Sequence, residues 1–287
     1  MKSILTFWAL LGFLIFTVAC SNDDDVVPTA DSDLQKVAEA TESGLNVEVY
    51  AEEPLFVGYN RLQLKITDTE GNPLSGNIEI NPVMDMEPMD DHDDHDDHGD
   101  HGDHGDHGGH GEHMEHSCPF DYPEGNTVND GAVPFNVAFV MPSGEMGTWV
   151  LNVTLEGKTV VVPIEVVQPE WSKMKSFTHG PEESKTSYFV FLVSPQSPQV
   201  GQNDLELAIY TRVNMFDWPP VEGLDVEMEP WMPSMDHGSP NNIDPKDTGD
   251  GMYVGKVNFT MTGDWQIRLK IVKDEEVIGE PNFDLDF

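Results

Sequence analysis

Basic residues are scarce. The chain has 14 Lys and Arg against 53 Asp and Glu, a formal net charge of −39. That balance opposes binding to nucleic acid or to anionic lipid surfaces, both of which need positive charge. Cysteine is scarcer still. Cys20 and Cys118 are the whole complement, so no disulfide framework can hold the fold. A 3.6-residue apolar period is missing after Ser43, which argues against amphipathic helices. There is no Gly-rich phosphate loop, no helical metalloprotease motif and no nucleophile paired with a base. The expectation is a non-enzymatic protein.

What is present begins with a leader. Met1 and Lys2 precede an apolar run, Ile4 to Ala19. At 16 residues it is short for a membrane span of roughly 20 and suits the apolar core of a signal peptide. "TVAC" followed by "SNDDD" (Thr17 to Asp25) resembles the lipobox of bacterial lipoproteins, with Cys20 as the lipidated residue. The acidic run after it is similar to the export signal of Bacteroidetes surface lipoproteins. The resemblance implies a protein lipid-anchored in the outer membrane and exposed at the cell surface. Lipid on Cys20 would leave Cys118 as the only thiol.

The expected organisation is a signal peptide over 1–19, an acidic tether over 20–43, a first domain over 44–168, a linker over 169–185 and a second domain over 186–287. Both domains are written in β alternation. "LNVEVYA" (45–51), "RLQLKIT" (61–67), "GTWVLNVTL" (147–155) and "TVVVPIEVV" (159–167) belong to the first. "DLELAIY" (204–210), "MYVGKVNFTM" (252–261) and "DWQIRLKIV" (264–272) belong to the second. Period-two patterns bounded by Gly, Pro and Asn are strand signals. Landmarks recur between the halves: "EPLFVGYNRLQLKI" (53–66) with "QSPQVGQNDLELAI" (196–209), and "FNVAFVMPSGEMGTW" (135–149) with "GKVNFTMTGDW" (255–265). About six short strands per copy predict an all-β chain of two tandem immunoglobulin-like antiparallel β-sandwiches.

One loop is unequal between the copies. In the first, residues 90–118 carry histidines at every third position: His92, His95, His98, His101, His104, His107, His110, His113 and His116. Nine Asp, two Glu and several Gly fill the spaces, and Cys118 follows. Such a segment cannot bury apolar area, so it is expected to be disordered without metal. In a polyproline helix the histidines would share one face, roughly 9 Å apart at about 3.1 Å per residue. Neighbours would then be too distant to share an ion bound at about 2 Å. The glycines instead allow several exchanging His/Asp sites suited to zinc, copper(II) or nickel. The competing reading is a solvated loop grown by repeat slippage.

Beside the tract stand Met86 and Met89, then His92. The second copy has Met232, Met235 and His237 at the corresponding place. Met141 and Met261, on the following strands, are candidates to approach these loops. Thioethers are soft ligands that suit Cu(I). His116 with Met114 and Cys118 makes a further candidate corner. The competing reading makes these methionines adaptable core filler.

The second copy also resembles the YtkA/FixH-like domains of bacterial envelope proteins. The resemblance rests on Met232, Met235, His237 and Gly238, on Gly251 and Tyr253, and on Phe259, Met261, Gly263 and Trp265. The first copy is similar more loosely, through Met86, Met89, Phe139, Met141, Gly147 and Trp149, and lacks the Gly-x-Tyr element. The resemblance implies an immunoglobulin-like sandwich and a link to copper and cytochrome-oxidase assembly. The leading expectation is an envelope lipoprotein that binds copper or zinc and hands it to a metal-receiving envelope protein. The alternative is a structural or adhesive surface lipoprotein with no metal role.

Overall fold

The computed structural model describes residues 34–86, 114–121, 126–145 and 147–287. The signal peptide, Cys20, Met89 and the histidines from His92 to His113 lie outside the described residues. Residues 34–287 form one compact unit.

The first sandwich pairs two antiparallel sheets. One holds β1 (Gln35–Glu42), β2 (Leu45–Ala51), β3 (Gly58–Asp68), β8 (Ala132–Phe139) and β6 (Phe120–Asp121), in that order. The other runs β10 (Lys158–Ile164), β9 (Thr148–Leu155), β4 (Gly76–Met86) and β5 (Met114–His116), with β7 (Thr127–Val128) also on β4. The second sandwich follows the same plan. One sheet is β11 (Met174–His179), β12 (Thr186–Ser194), β13 (Gly201–Arg212), β17 (Met252–Phe259) and β16 (Ile243–Gly249). The other is β15 (His237–Gly238), β14 (Asp225–Met232), β18 (Asp264–Lys273) and β19 (Glu276–Gly279), with β20 (Asn282–Asp286) on β18. The chain is all-β, as the alternation predicts.

Alternation becomes packing directly. β2 buries Leu45, Val47, Val49 and Ala51 and turns Asn46, Glu48 and Tyr50 outward. β9 buries Trp149, Leu151, Val153 and Leu155, and β18 buries Trp265, Ile267, Leu269 and Ile271. Each sandwich has its own core, centred on Trp149 or Trp265.

Two strands fall where the sequence predicts connecting chain. β1 lies inside the expected tether, and β11 inside the expected linker. Both are sheet edges with mostly exposed or half-buried side chains, so they carry little apolar period. Backbone pairing holds them, β1 to β2 and β11 to β12. His179, inside the span expected as linker, sits on β11, with Nε2 3.8 Å from Glu276.

The sandwiches meet through a third apolar cluster: Tyr59, Ala138, Phe191, Val193, Ala208 and Tyr210. β3 and β13 accordingly bury both faces along part of their length, the pattern of strands covered on two sides. The Tyr59 hydroxyl donates to Asp121 at 3.0 Å, and Arg61 pairs with Glu206 at 2.6 Å beside it. Burial pushes the Tyr59 and Tyr210 hydroxyls far above the usual phenol range, with Asp121 adding to the effect.

Candidate metal centre

Strand register builds the site. On β4 and β5, Met84 pairs with His116 and Met86 with Met114. Directly opposed residues share a face of an antiparallel pair, and so do residues two apart. Met84, Met86, Met114 and His116 therefore lie on one face. Exposure along it is graded: Met84 is 0%, His116 4% and Met114 58% exposed. On β14 and β15, Met232 pairs with His237. Met84 also pairs with Trp149, while Trp231 pairs with Gln266, which sets Met232 opposite Trp265. The counterpart of His237 is thus His116, and the counterpart of Met232 is Met84. The sequence had paired Met86–Met89–His92 with Met232–Met235–His237. That alignment is corrected: the histidine tract separates β4 from its own short partner, so its last histidine takes the conserved structural place.

The two histidines have matching surroundings. His116 packs edge-on against Trp149 at 5.1 Å, and His237 against Trp265 at 5.8 Å. His116 Nδ1 lies 3.0 Å from the Ser117 carbonyl, and His237 Nδ1 lies 2.8 Å from the Gly238 carbonyl. A carbonyl only accepts, so these contacts are hydrogen bonds in the tautomer that carries its proton on Nδ1. In the neutral ring Nε2 then holds the free electron pair. This is how imidazoles are oriented for metal ligation. The indoles place the methionines as well. Trp149 Nε1 donates to the Met141 carbonyl at 2.9 Å, and Trp265 Nε1 to the Met261 carbonyl at 2.9 Å.

In the first sandwich the donor atoms converge. His116 Nε2 lies 3.0 Å from Met141 Sδ. Two electron pairs facing each other repel unless a proton or a soft cation engages them. Bond lengths of about 2.0 Å to nitrogen and 2.3 Å to sulfur would set N and S roughly 3.5 Å apart at a tetrahedral angle. A shift of about half an ångström in a flexible thioether closes that difference. Met86 borders the same cavity, of about 300 Å³. Imidazole with thioethers is a donor set for Cu(I). Among the described residues no group of three or more His, Cys, Asp or Glu is placed to hold a metal ion. The sulfur donors are thus what distinguishes this site.

The second sandwich arranges its candidates differently. Met232 is 1% exposed and belongs to the core, whereas Met235 and Met261 are exposed. Met232 is therefore corrected from ligand to core side chain; its Cε lies against Gly263. His237 is half-buried. Met235 rides a tight turn in which the Met235 and Asp236 amides donate to the Met232 carbonyl. Asp264 holds that turn by accepting from the Ser234 amide at 3.0 Å and from the Ser234 hydroxyl. These hydrogen bonds keep the Asp264 carboxyl below its ordinary range.

Cys118 is also corrected. It lies in the core, fully buried, and burial pushes its thiol well up. The ligand form of cysteine is the thiolate, which this setting disfavours.

The Gly-x-Tyr element has a structural role. Gly251 accepts from the Ile209 amide through its carbonyl. The Tyr253 hydroxyl donates to the Val221 carbonyl at 2.9 Å and accepts from the Leu224 amide at 3.2 Å. Burial is the main reason the Tyr253 hydroxyl is pushed up to about 12. The first sandwich keeps the glycine as Gly131, which accepts from Ile66, and has Val133 in place of the tyrosine.

Fold and site together define a tandem immunoglobulin-like β-sandwich protein in which a core indole backs a histidine on each sandwich. Residues 182–270, most of the second sandwich, match the YtkA-like family. No curated protein matches the chain. Among solved structures it is similar to invasin, a bacterial integrin-binding protein, with 14% identity and a TM-score of 0.21, over 85% of this chain and 39% of that one. Domains 5–6 of the S-layer protein SbsC match with 10% identity and a TM-score of 0.25, over 88% of this chain and 96% of that one. Red sea bream transglutaminase matches with 10% identity and a TM-score of 0.21, over 89% and 31%.

Proposed function

We propose that the protein is a non-enzymatic, lipid-anchored envelope protein that binds a soft transition metal for capture, buffering or delivery. Cu(I) is the favoured ion, with zinc the alternative cargo of the His/Asp-rich tract. The reading rests on one contact above all: His116 Nε2 faces Met141 Sδ at 3.0 Å while Nδ1 is held by a carbonyl. The matching carbonyl and indole contacts of His237 and Met261 support a second, more open site. On this reading the first sandwich is a diverged YtkA-like domain. The tract, which joins β4 to β5, delivers ions to the buried His116 end.

Titration of the mature chain with Cu(I), Cu(II) and zinc tests the reading. A variant lacking residues 90–113 is expected to lose most capacity for zinc and Cu(II) but keep tight Cu(I) binding. Met141→Leu with Met261→Leu is expected to show the reverse. Unchanged Cu(I) affinity in that double variant would refute the site and leave the structural or adhesive reading in its place.

A further inference from the structure

The cavity beside His116 is closed by the other sandwich. Met86, His116 and Met141 line it from the first; Arg212, Met215 and Trp218 line it from the second. A backbone hydrogen bond ties the two together: the Ser117 amide donates to the Met215 carbonyl at 2.8 Å, one residue from His116. The loop that brings Met215 there is an enlargement peculiar to the second sandwich. In the first, the Leu74 amide returns to the Ile66 carbonyl; in the second, the Val221 amide returns to the Ile209 carbonyl. The second span is longer by four residues on these positions. It contains "RVNMFDW", where the first has "TDTEGN".

That enlarged loop is internally fixed. The Val213 amide donates to the Asp217 carbonyl at 2.9 Å, Thr211 to Pro219 at 3.0 Å, and the Phe216 amide to Asn214 Oδ1 at 2.8 Å. Tyr253 clamps its far end through Val221 and Leu224. Met215 is nevertheless 40% exposed, so its thioether is not consumed by core packing. Trp218 also lines this cavity, but its free group is a donor, which a cation does not satisfy. It is 8% exposed, and its indole N–H has no acceptor among the described residues. A buried indole N–H usually finds a partner.

We infer that Met215 is a ligand of the metal site on the first sandwich, completing a His116, Met86, Met141 and Met215 donor set across the junction. The inference rests on the metal reading above. It makes the site a property of the joined pair, so a single sandwich holds only part of it. It also gives the two sites different characters. The junction site is lined from both sandwiches and suited to retention, and the His237 site is more open and suited to exchange.

The test uses the full mature chain loaded with one equivalent of Cu(I), with competition against a chromophoric chelator and X-ray absorption to count sulfur ligands. Leucine replaces methionine at similar volume, so Met215→Leu and Met141→Leu keep the packing. Met215→Leu is expected to lower Cu(I) affinity about tenfold or more, the scale seen when even an outer partner of a metal ligand is lost. The sulfur count is expected to fall by one. If Met141→Leu weakens binding while Met215→Leu changes neither affinity nor sulfur count, the junction contact is packing alone and this inference fails, with the single-sandwich site intact. If neither variant changes either readout, the metal reading itself fails.

Discussion

At the scale of single residues, the same side-chain type has two different roles within each sandwich, and burial decides which. Met84 and Met232 fill cores, while Met86, Met141 and Met261 stand at the rim. Cys118 belongs with the core residues. Because the thiolate is the reactive form and burial raises the thiol, native protein at neutral pH is expected to resist alkylation by iodoacetamide. Unfolded protein should react fully; mass spectrometry distinguishes the two, and rapid native labelling would contradict the placement. Asp264 gives a pH signature. Its folded value is depressed by Ser234, so its contribution is complete above the ordinary carboxylate value of 3.8 and is lost as pH falls through the lower folded value. The Ser234 and Met235 amides should therefore lose exchange protection in acid below that value. Asp264→Asn should remove the pH dependence.

At the scale of elements, the strand ends beside each indole depend on glycine. Gly147 has φ +146° and Gly263 has φ +134°, where side chains are strained. A Cβ at Gly147 would meet the Asp85 carbonyl oxygen at 2.4 Å, a backbone atom that cannot step aside. At Gly263 it would meet only the flexible Met232 Cε, at 3.1 Å. Gly147→Ala should cost roughly 2 to 4 kcal/mol and Gly263→Ala about 1 to 2, measured by denaturant unfolding. Equal costs would contradict the difference in surroundings. The strands themselves were legible where one face is buried: "LNVEVYA" and "TWVLNVTL" alternate because the core selects every second residue. β1 and β11 were not, since edge strands held by backbone pairing leave little apolar period. The partnership of Met84 with His116 was hidden for a different reason. The tract between them offers nine equivalent histidines in sequence, and only register singles out the last.

At the scale of the whole molecule, the sandwiches are a joined pair. Phe191 is fully buried between them, 6.0 Å from the Tyr210 ring. Phe191→Ala should cost about 3 to 5 kcal/mol and split a single calorimetric transition into two. An unaltered single transition would mean the junction contributes little coupling. Contacts across this junction leave no periodic trace in sequence, which is why Met215 could not be read as part of the site. Its only sequence signal is the longer, aromatic-rich loop that carries it.

Nuclear magnetic resonance of isotope-labelled methionine methyl groups during Cu(I) addition tests the metal claim most directly. With the first equivalent, the Met86 and Met141 methyls are expected to shift together with the His116 ring, while the core methyls of Met84 and Met232 move little. A titration in which only histidines of the tract respond, with Met86, Met141 and His116 unchanged, would contradict a soft-metal site at this cluster.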